Sequence, residues 1–375
     1  MTDWLIVAGD FVPTGGMDRA NLALARYLAR MDRVELVTHR VDPELAKEPN
    51  ICVRSVRRPF GSHLAGGWWL DRAGRQHARL VVADGGRVIV NGGNCLAPAI
   101  NWLHYVHAAD RTPAGRGIRG WKSAYAARSA RRSERAAVQR ASHVVGNSRL
   151  TVRHAVELLG VPADRAHAIY YGTDPQQFAL VSPGERADAR REFGWSDRPW
   201  ALFVGGLGDR RKGFDTLYAA WRTLCSSPTW DANLAVVGRG AELPEWQARA
   251  AADGLAARIA FLGFRTDVPK ILAAADVVVH PARYEPYGLG VHEALCRGLP
   301  AIVSASAGVA ERYPANLHDL LLTDPENVGE LAVRLLEWRA NLDSYPDRVR
   351  PFADALRSRT WDEMAAEIVA IALTP

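Results

Sequence analysis

Short β-branched runs alternate along this chain with segments of helical periodicity, and the alternation stops and restarts once. Brief apolar strands separated by amphipathic stretches are what a parallel sheet demands. Strands pointing the same way must be joined by long crossover segments, usually helices. In the first half the strand-like runs are Trp4–Gly9, Val34–Thr38, Val53–Val56, Val88–Asn91, Trp102–Val106, His143–Gly146 and Ala168–Tyr171. Leu22, Leu24, Ala25 and Leu28 mark an amphipathic first helix, and Leu150 to Leu159 a later one. The stretch from Tyr171 to Pro199, rich in Gly, Pro, Asp and Arg, interrupts the pattern. It resumes with Ala201–Val204, a helix from Gly213 to Cys225, and strands at Leu234–Val237, Ile259–Leu262, Val277–His280, Ala301–Ser304 and Leu320–Leu322. The expected fold class is therefore α/β, with two Rossmann-like doubly wound domains. A chain of 375 residues is long enough to give each its own core.

Composition works by exclusion. With 48% apolar and 23% charged residues and no low-complexity tract, the make-up is that of a globular protein. No apolar run approaches the roughly 20 residues that cross a bilayer. The first strand starts at Trp4, with Asp3 where a secretory leader carries positive charge. Cys52, Cys95, Cys225 and Cys296 have neither metal-ligand nor redox spacing, so reduced thiols and a cytoplasmic location are expected. The net charge of +6 is unevenly spread: between Arg111 and Arg140 nine Arg or Lys residues stand against one acid, Glu134. Basic character raises nucleic acid as an alternative partner, but no recognised module or interleaved aromatic and basic strand pattern is present, so none is expected.

The densest stretch is Arg283-Tyr-Glu-Pro-Tyr-Gly-Leu-Gly-Val-His-Glu-Ala-Leu-Cys-Arg-Gly-Leu-Pro-Ala-Ile-Val303. A buried-strand run precedes it, and Val291, Leu295 and Leu299 recur at helical spacing, so the order is strand, glycine turn, helix. A helix beginning at Gly288 directs the free N–H groups of its first turn, at Leu289 and Gly290, toward whatever lies in front of it, together with its positive dipole end. The glycines let an anion come close to the backbone, which suits a phosphate or diphosphate. Glu285 before the turn and Glu293 within the helix can accept hydrogen bonds from hydroxyls on either side of that anion. A diphosphate flanked by two polyols is a nucleotide sugar.

The same segment resembles the E-x7-E signature of the retaining glycosyltransferases of family GT4, S-x-x-E-P-F-G-L-x-x-x-E-A-x-A-x-G-x-P-V-I. The resemblance implies the GT-B fold, two Rossmann-like domains facing a central cleft. Residues 1–175, with a crossover helix at about 352–375, form the acceptor-binding domain; residues 195–350 form the nucleotide-sugar domain. Phe203-Val-Gly-Gly-Leu-Gly-Asp-Arg-Arg-Lys-Gly-Phe-Asp215 resembles the family's diphosphate clamp, in which Gly-Arg is followed by Lys-Gly. Lys212 takes the Lys position. Gly206 stands where the Arg is expected, so Arg210 or Arg211 is left to supply the second charge. Gly15 and Gly16, after the first strand, resemble the glycine pair that brings backbone near the donor diphosphate and the acceptor; they are not part of a dinucleotide fingerprint. His107, just past Trp102–Val106, resembles the His placed beside the transferred sugar. His104 competes with it, although strand alternation points His104 into the sheet. Gly263-Phe-Arg-Thr-Asp267, with Arg265, matches the region that frames the base. Glu311 reads equally as a site residue or a helix cap, and Trp68-Trp69 as acceptor-facing aromatics or core.

The implied activity is transfer of a hexosyl group from a nucleotide diphosphate sugar to the hydroxyl of a glycan, lipid-linked or small-molecule acceptor, as in polysaccharide biosynthesis. The anomeric configuration is retained. The family's counterparts of Glu285 and Glu293 contact the donor sugar and the ribose, which favours a same-face route over a carboxylate nucleophile. Glu285, His107 and Lys212 are the implied catalytic residues, and the others above bind donor. No Asp-x-Asp pair occurs, so no metal or other cofactor is expected. Trp121, Tyr125, Arg128, Arg132 and Arg135 fall on one helical face, with Arg131 beside them. That face suggests peripheral contact of segment 111–140 with an anionic membrane, at its inner surface, or with an anionic acceptor. Enzymatic alternatives are a GT-B epimerase or phosphorylase; the non-enzymatic one is a nucleotide-sugar-binding homologue.

Overall fold

A computed structural model describes residues 3–112 and 117–374, apart from the side chains at positions 60, 63, 64, 118, 119, 122 and 123. The chain divides into two compact units, Met1–Gly172 with Thr360–Pro375, and Thr173–Arg359.

The first unit runs β1 (Trp4–Val7), α1 (Gly16–Ala29), β2 (Val34–Thr38), β3 (Ile51–Ser55), α2 (His63–Ala83), β4 (Arg87–Asn91), β5 (Ile100–Leu103), α3 (Gly117–Arg140), β6 (Val144–Gly146), α4 (Arg149–Leu159) and β7 (Ala166–Ala168). The seven strands are parallel, in the order β3-β2-β1-β4-β5-β6-β7. All of β1 is buried, which is why its sequence, Trp-Leu-Ile-Val, is apolar at every position rather than at alternate ones.

The second unit runs α5 (Pro183–Phe193), β8 (Trp200–Val204), α6 (Phe214–Cys225), β9 (Asn233–Val237), α7 (Leu243–Ala252), β10 (Ile259–Gly263), α8 (Val268–Ala274), β11 (Val277–His280), α9 (Leu289–Cys296), β12 (Ala301–Ser304), β13 (Leu321–Leu322), α10 (Val328–Ala340) and α11 (Tyr345–Arg357). Its parallel sheet has the order β10-β9-β8-β11-β12-β13. In both sheets the strand order reverses beside the first strand. In open α/β sheets ligands gather outside the carboxyl ends of the strands at that reversal. The glycine loops therefore converge on one edge of each sheet: Gly15–Gly16 after β1, and Gly205–Gly213, Gly238–Gly240 and Pro281–Gly288 after β8, β9 and β11.

Three expectations from sequence change. Residues 352–375 are not one helix. Val349, Phe352, Ala353 and Leu356 of α11 are buried in the second unit, and α12 (Trp361–Leu373) starts afresh in the first. The break is chemical. Thr360 Oγ1 accepts from Glu363 N at 3.2 Å while the Glu363 carboxylate accepts from Thr360 N at 2.6 Å, a capping box that fixes a new helix start. The strand expected over Trp102–Val106 ends at Leu103, because Asn147 Nδ2 takes the His104 carbonyl at 3.1 Å in place of a ladder partner. Trp68 and Trp69 are 58% and 45% exposed, so they are not core.

Candidate active site

Strand β11 ends at His280, and the loop after it turns back over the start of α6. Gly213 lets this happen: its φ is +70°, and a Cβ there would lie 1.9 Å from the Pro281 carbonyl oxygen. Only a residue without a side chain can let the two loops touch backbone to backbone. Arg283 N donates to the Arg211 carbonyl at 2.7 Å, and its guanidinium bridges the Arg210 carbonyl (2.6 Å) and both carboxylate oxygens of Asp215 (2.7 and 2.9 Å). The clamp loop and the acidic loop are thereby one rigid piece.

That joining brings Lys212 to Glu285. Lys212 Nζ donates to Glu285 Oε2 at 2.6 Å, and His280 Nε2 donates to the same oxygen at 2.9 Å. A carboxylate has no proton to give, so His280 carries its hydrogen on Nε2. Burial alone pushes the Glu285 carboxyl up, but the Lys212 charge and His280 outweigh it and hold the group well below the usual carboxylate range. Oε2 takes both donors. Among the described residues Oε1 has no protein donor.

Helix α9 begins where the sequence places it. Gly288, at φ +102°, is the N-terminal cap, wedged beside Val309 and Glu285. Gly308 N and Val309 N donate to the carbonyls of Glu285 and Tyr287 at 3.0 and 2.7 Å. The loop's acceptors are thus occupied, while the N–H groups of Leu289, Gly290 and Val291 have no intrahelical acceptor. Leu289 and Val291 are buried and Gly290 is exposed. Gly290 and Glu293 are i, i+3 neighbours and share a face; Glu293 is 6% exposed. A Cβ on Gly290 would meet nothing within 4 Å, so the fold itself does not require glycine there.

The remaining clamp and base-framing residues lie differently from the simplest expectation. Arg211 is committed to Asp209 (Nε to Oδ1 3.0 Å, Nη2 to Oδ2 2.5 Å). Arg210 is exposed and lines a hollow with Glu242, Glu245 and Trp246. Neither arginine joins Lys212 at Glu285. Gly263 ends β10 in a left-handed turn, φ +67°. Arg265 pairs with Asp267 at 2.8 and 2.5 Å and lies over the Phe193 ring.

In the first unit, Gly15 caps α1 at φ +85° with no side-chain cap, leaving the first-turn N–H groups, beginning at Gly16, without intrahelical acceptors. His107 sits in a turn four residues beyond β5 rather than at a strand end. Its backbone N donates to Glu134 Oε2 at 2.9 Å and its Nδ1 to Oε1 at 2.8 Å. Glu134 is 1% exposed, so the lone acid of the basic stretch is a buried clamp on His107, engaging Nδ1 while the His107 side chain as a whole stays 39% exposed. Arg131 adds to it, donating to the His107 and Asp110 carbonyls at 2.9 and 2.8 Å. His104, by contrast, is buried against Tyr171 (Nδ1 to hydroxyl 2.5 Å), and burial pushes its ring down to about 3. Of the basic helical face, Trp121 and Tyr125 are exposed and stacked, ring centroids 6.4 Å apart, and Arg128, Arg132 and Arg135 are exposed below them. Residues 113–116 of that segment lie outside the described residues.

Three contributors escaped the sequence reading. His280 is hidden in a Val-Val-Val-His run that reads only as strand. Glu134 reads as one dissenting charge in a basic tract. Tyr287 stands where the family pattern has Phe, and its hydroxyl is pushed up to about 12 by burial. The Tyr287 hydroxyl lies 2.9 Å from His292 Nδ1 and accepts from Arg312 at 3.3 Å. The departure at Tyr287 was the available signal for that contact.

Comparison with known proteins fits this arrangement. The family model described as Glycosyltransferase Family 4 matches residues 14–177, and that described as Glycosyl transferases group 1 matches residues 198–341. The chain belongs to family 4 of the glycosyltransferases, with the GT-B fold. It is similar to mannosylfructose-phosphate synthase of Agrobacterium fabrum (strain C58), 29% identical over 226 residues, which cover 58% of this chain and 49% of that protein. The chain spans about half the length of the curated relatives it matches. Among solved structures, that of WaaG, a glycosyltransferase involved in lipopolysaccharide biosynthesis, superposes with a TM-score of 0.79 at 20% identity over 100% of both chains. Anabaena HepE in complex with UDP-glucose gives 0.74 at 20% identity over 99% of both.

Proposed function

We propose that the protein transfers a hexosyl group from a nucleotide diphosphate sugar to an acceptor hydroxyl, with retention and without a metal. The observation that carries the reading is Gly290. Glycine in a helix costs roughly 0.5–1 kcal/mol against alanine. A Cβ on Gly290 would meet nothing within 4 Å, and Gly290 is exposed in the first turn of the helix whose cap, Gly288, packs against Glu285. A diphosphate close against that backbone accounts for the glycine. Glu285 Oε1 then accepts from a donor-sugar hydroxyl, and Glu293, on the face of Gly290, from the ribose. Gly263 and Arg265 frame the base.

A carboxylate held this far toward its ionised form, with one oxygen saturated by Lys212 and His280, is a weak base and a poor nucleophile. A same-face route fits that better than a covalent glycosyl-enzyme. The acceptor oxygen attacks the anomeric carbon from the side on which its bond to the diphosphate breaks, and the acceptor proton passes to the departing phosphate oxygen. Lys212 and the amides of Leu289 and Gly290 stabilise the charge developing there, with the exposed Arg210 as the second cation. His107, fixed by Glu134, offers Nε2 to a sugar hydroxyl, and the amides at Gly15 and Gly16 approach the diphosphate or acceptor. The stacked Trp121–Tyr125 pair above Arg128, Arg132 and Arg135 favours an acceptor held at an anionic membrane. No helix among the described residues is long and apolar enough to cross one.

Kinetics of Gly290→Ala and Glu285→Ala with a panel of nucleoside diphosphate sugars test the reading. Gly290→Ala is expected to keep or raise Tm while raising KM for the donor about tenfold or more. Glu285→Ala is expected to lower kcat/KM by about 100-fold or more with the fold intact. Wild-type kinetics in both variants would refute the assignment. Slow hydrolysis of donor without acceptor separates a transferase from a protein that only binds the nucleotide sugar.

A further inference from the structure

The first unit carries a second concave feature, remote from the carboxyl edge of its sheet. The later turns of α2, the segment before β5 and the end of α3 enclose a hollow of about 550 Å³, within the roughly 300–1,000 Å³ of ordinary ligand sites. Its lining is chemically one-sided. Of nine residues, three are arginines (Arg75, Arg79 and Arg140) and six are apolar, with Val82, Leu96 and Pro98 the largest. The lining side chains include no hydroxyl, amide or carboxylate. They offer hydrogen-bond donors with positive charge and otherwise hydrocarbon.

A sugar or a peptide presents donors and acceptors along its whole length, and most of them would go unmet here. The ligand that fits has acceptors and negative charge at one end and no polar atoms elsewhere. Arg75 is partly satisfied by Asp71, with Nη2 to Oδ2 at 2.9 Å. Among the described residues neither Arg79 nor Arg140 has a carboxylate partner, so two guanidinium groups stand ready for a phosphate. A second hollow, of about 590 Å³, shares Val82 and Pro98 with the first; past the end of α2 its lining is mixed, with Val88 and Ile100 beside Arg87, His143 and Arg165. Val82, in the lining of both hollows, remains 55% exposed.

We propose that this groove binds one single-chain alkyl phosphate, its hydrocarbon chain against Val82, Leu96 and Pro98 and its phosphate on Arg79 and Arg140. The site is separate from the aromatic face of α3 and stands whether or not the transferase reading holds.

Dodecyl phosphate, titrated into the full chain below its micellar concentration and followed by calorimetry, tests it. Saturable one-to-one binding is expected. Arg79→Gln with Arg140→Gln should weaken it by about 100-fold, since each lost charged contact is worth about a factor of ten. Ala83→Trp, which keeps every charge but fills the mouth of the groove, should weaken it comparably. Arg153→Gln with Arg222→Gln, exposed arginines of α4 and α6, should leave it unchanged, and thermal melts of all variants should match the wild type. The assignment is overturned if dodecyl maltoside or inorganic phosphate binds as tightly as dodecyl phosphate. It is also overturned if both groove variants bind normally, or if a hexaglutamate peptide binds more tightly, which would point to a protein partner.

Discussion

Asp18 and Glu285 are both largely buried carboxyl groups, and their surroundings drive them in opposite directions. Glu285 is held low by Lys212 and His280 against its own burial. Asp18 is pushed up to about 6, by burial first and then by the nearby Asp10 charge, with Arg40 and Arg58 pulling the other way. The sign for Asp18 follows from proton linkage. Its folded value lies above its unfolded value of 3.8, so the native state holds the proton more tightly. Its stabilising effect is complete below about pH 4 and is lost as pH rises through 6. Asp18→Asn is expected to gain about 1–2 kcal/mol at pH 7.5, a figure reduced for the solvent-open third of the group, and to flatten the slope between pH 4 and 6. Calorimetric melts at pH 4.5, 6 and 7.5 check it; an unchanged slope would remove burial of Asp18 as the cause. Asp18 was legible only as the residue after a Gly-Gly-Met turn. The charges that act on it, Asp10, Arg40 and Arg58, are separated in sequence by up to 48 positions.

At the scale of elements, the joining of the clamp loop to the β11–α9 loop is what makes a site. The resemblance identified Lys212 and Glu285 separately, 73 positions apart. It could not say that the glycine after the lysine exists so that the Pro281 carbonyl can lie against it. Gly213→Ala meets two penalties, a left-handed backbone at φ +70° and an oxygen 1.9 Å from the new carbon. The first alone is worth about 1–3 kcal/mol, and the second forces the loops apart. Urea unfolding is expected to show a loss of about 3 kcal/mol, and donor turnover should fall further than stability explains, because Lys212 moves with the loop. A wild-type urea midpoint would contradict the close approach. The same geometry explains why Gly206 can replace the expected Arg without loss of the loop. Gly206 lies where a Cβ would come no nearer than 3.6 Å to anything, so the missing charge is a chemical absence, not a steric one.

At the scale of the whole molecule, the chain crosses from one unit to the other and back along adjacent segments. A Cβ on Gly172 would lie 2.2 Å from the Thr360 carbonyl oxygen, and Thr173 N donates to the Arg359 carbonyl at 3.0 Å. Helix α12 then buries Met364, Ala365 and Ile368 in the first unit, packed with α1, although it follows the whole second unit in sequence. Ile368→Ala is expected to cost about 2–4 kcal/mol. The loss should be confined to the first unit, so hydrogen exchange should accelerate in β1 and α1 while β8 and β11 are unchanged; acceleration in both units would deny the division. The sequence by itself determined the two α/β halves and the helix start at Gly288, because periodicity, glycine punctuation and short motifs are local properties. Only the tertiary structure decided that Lys212, His280 and Glu285 share one oxygen, that Glu134 serves His107, and that the last helix starts anew at Thr360. Those depend on which distant backbones come within a few ångströms of each other, and no spacing along the chain encodes that distance.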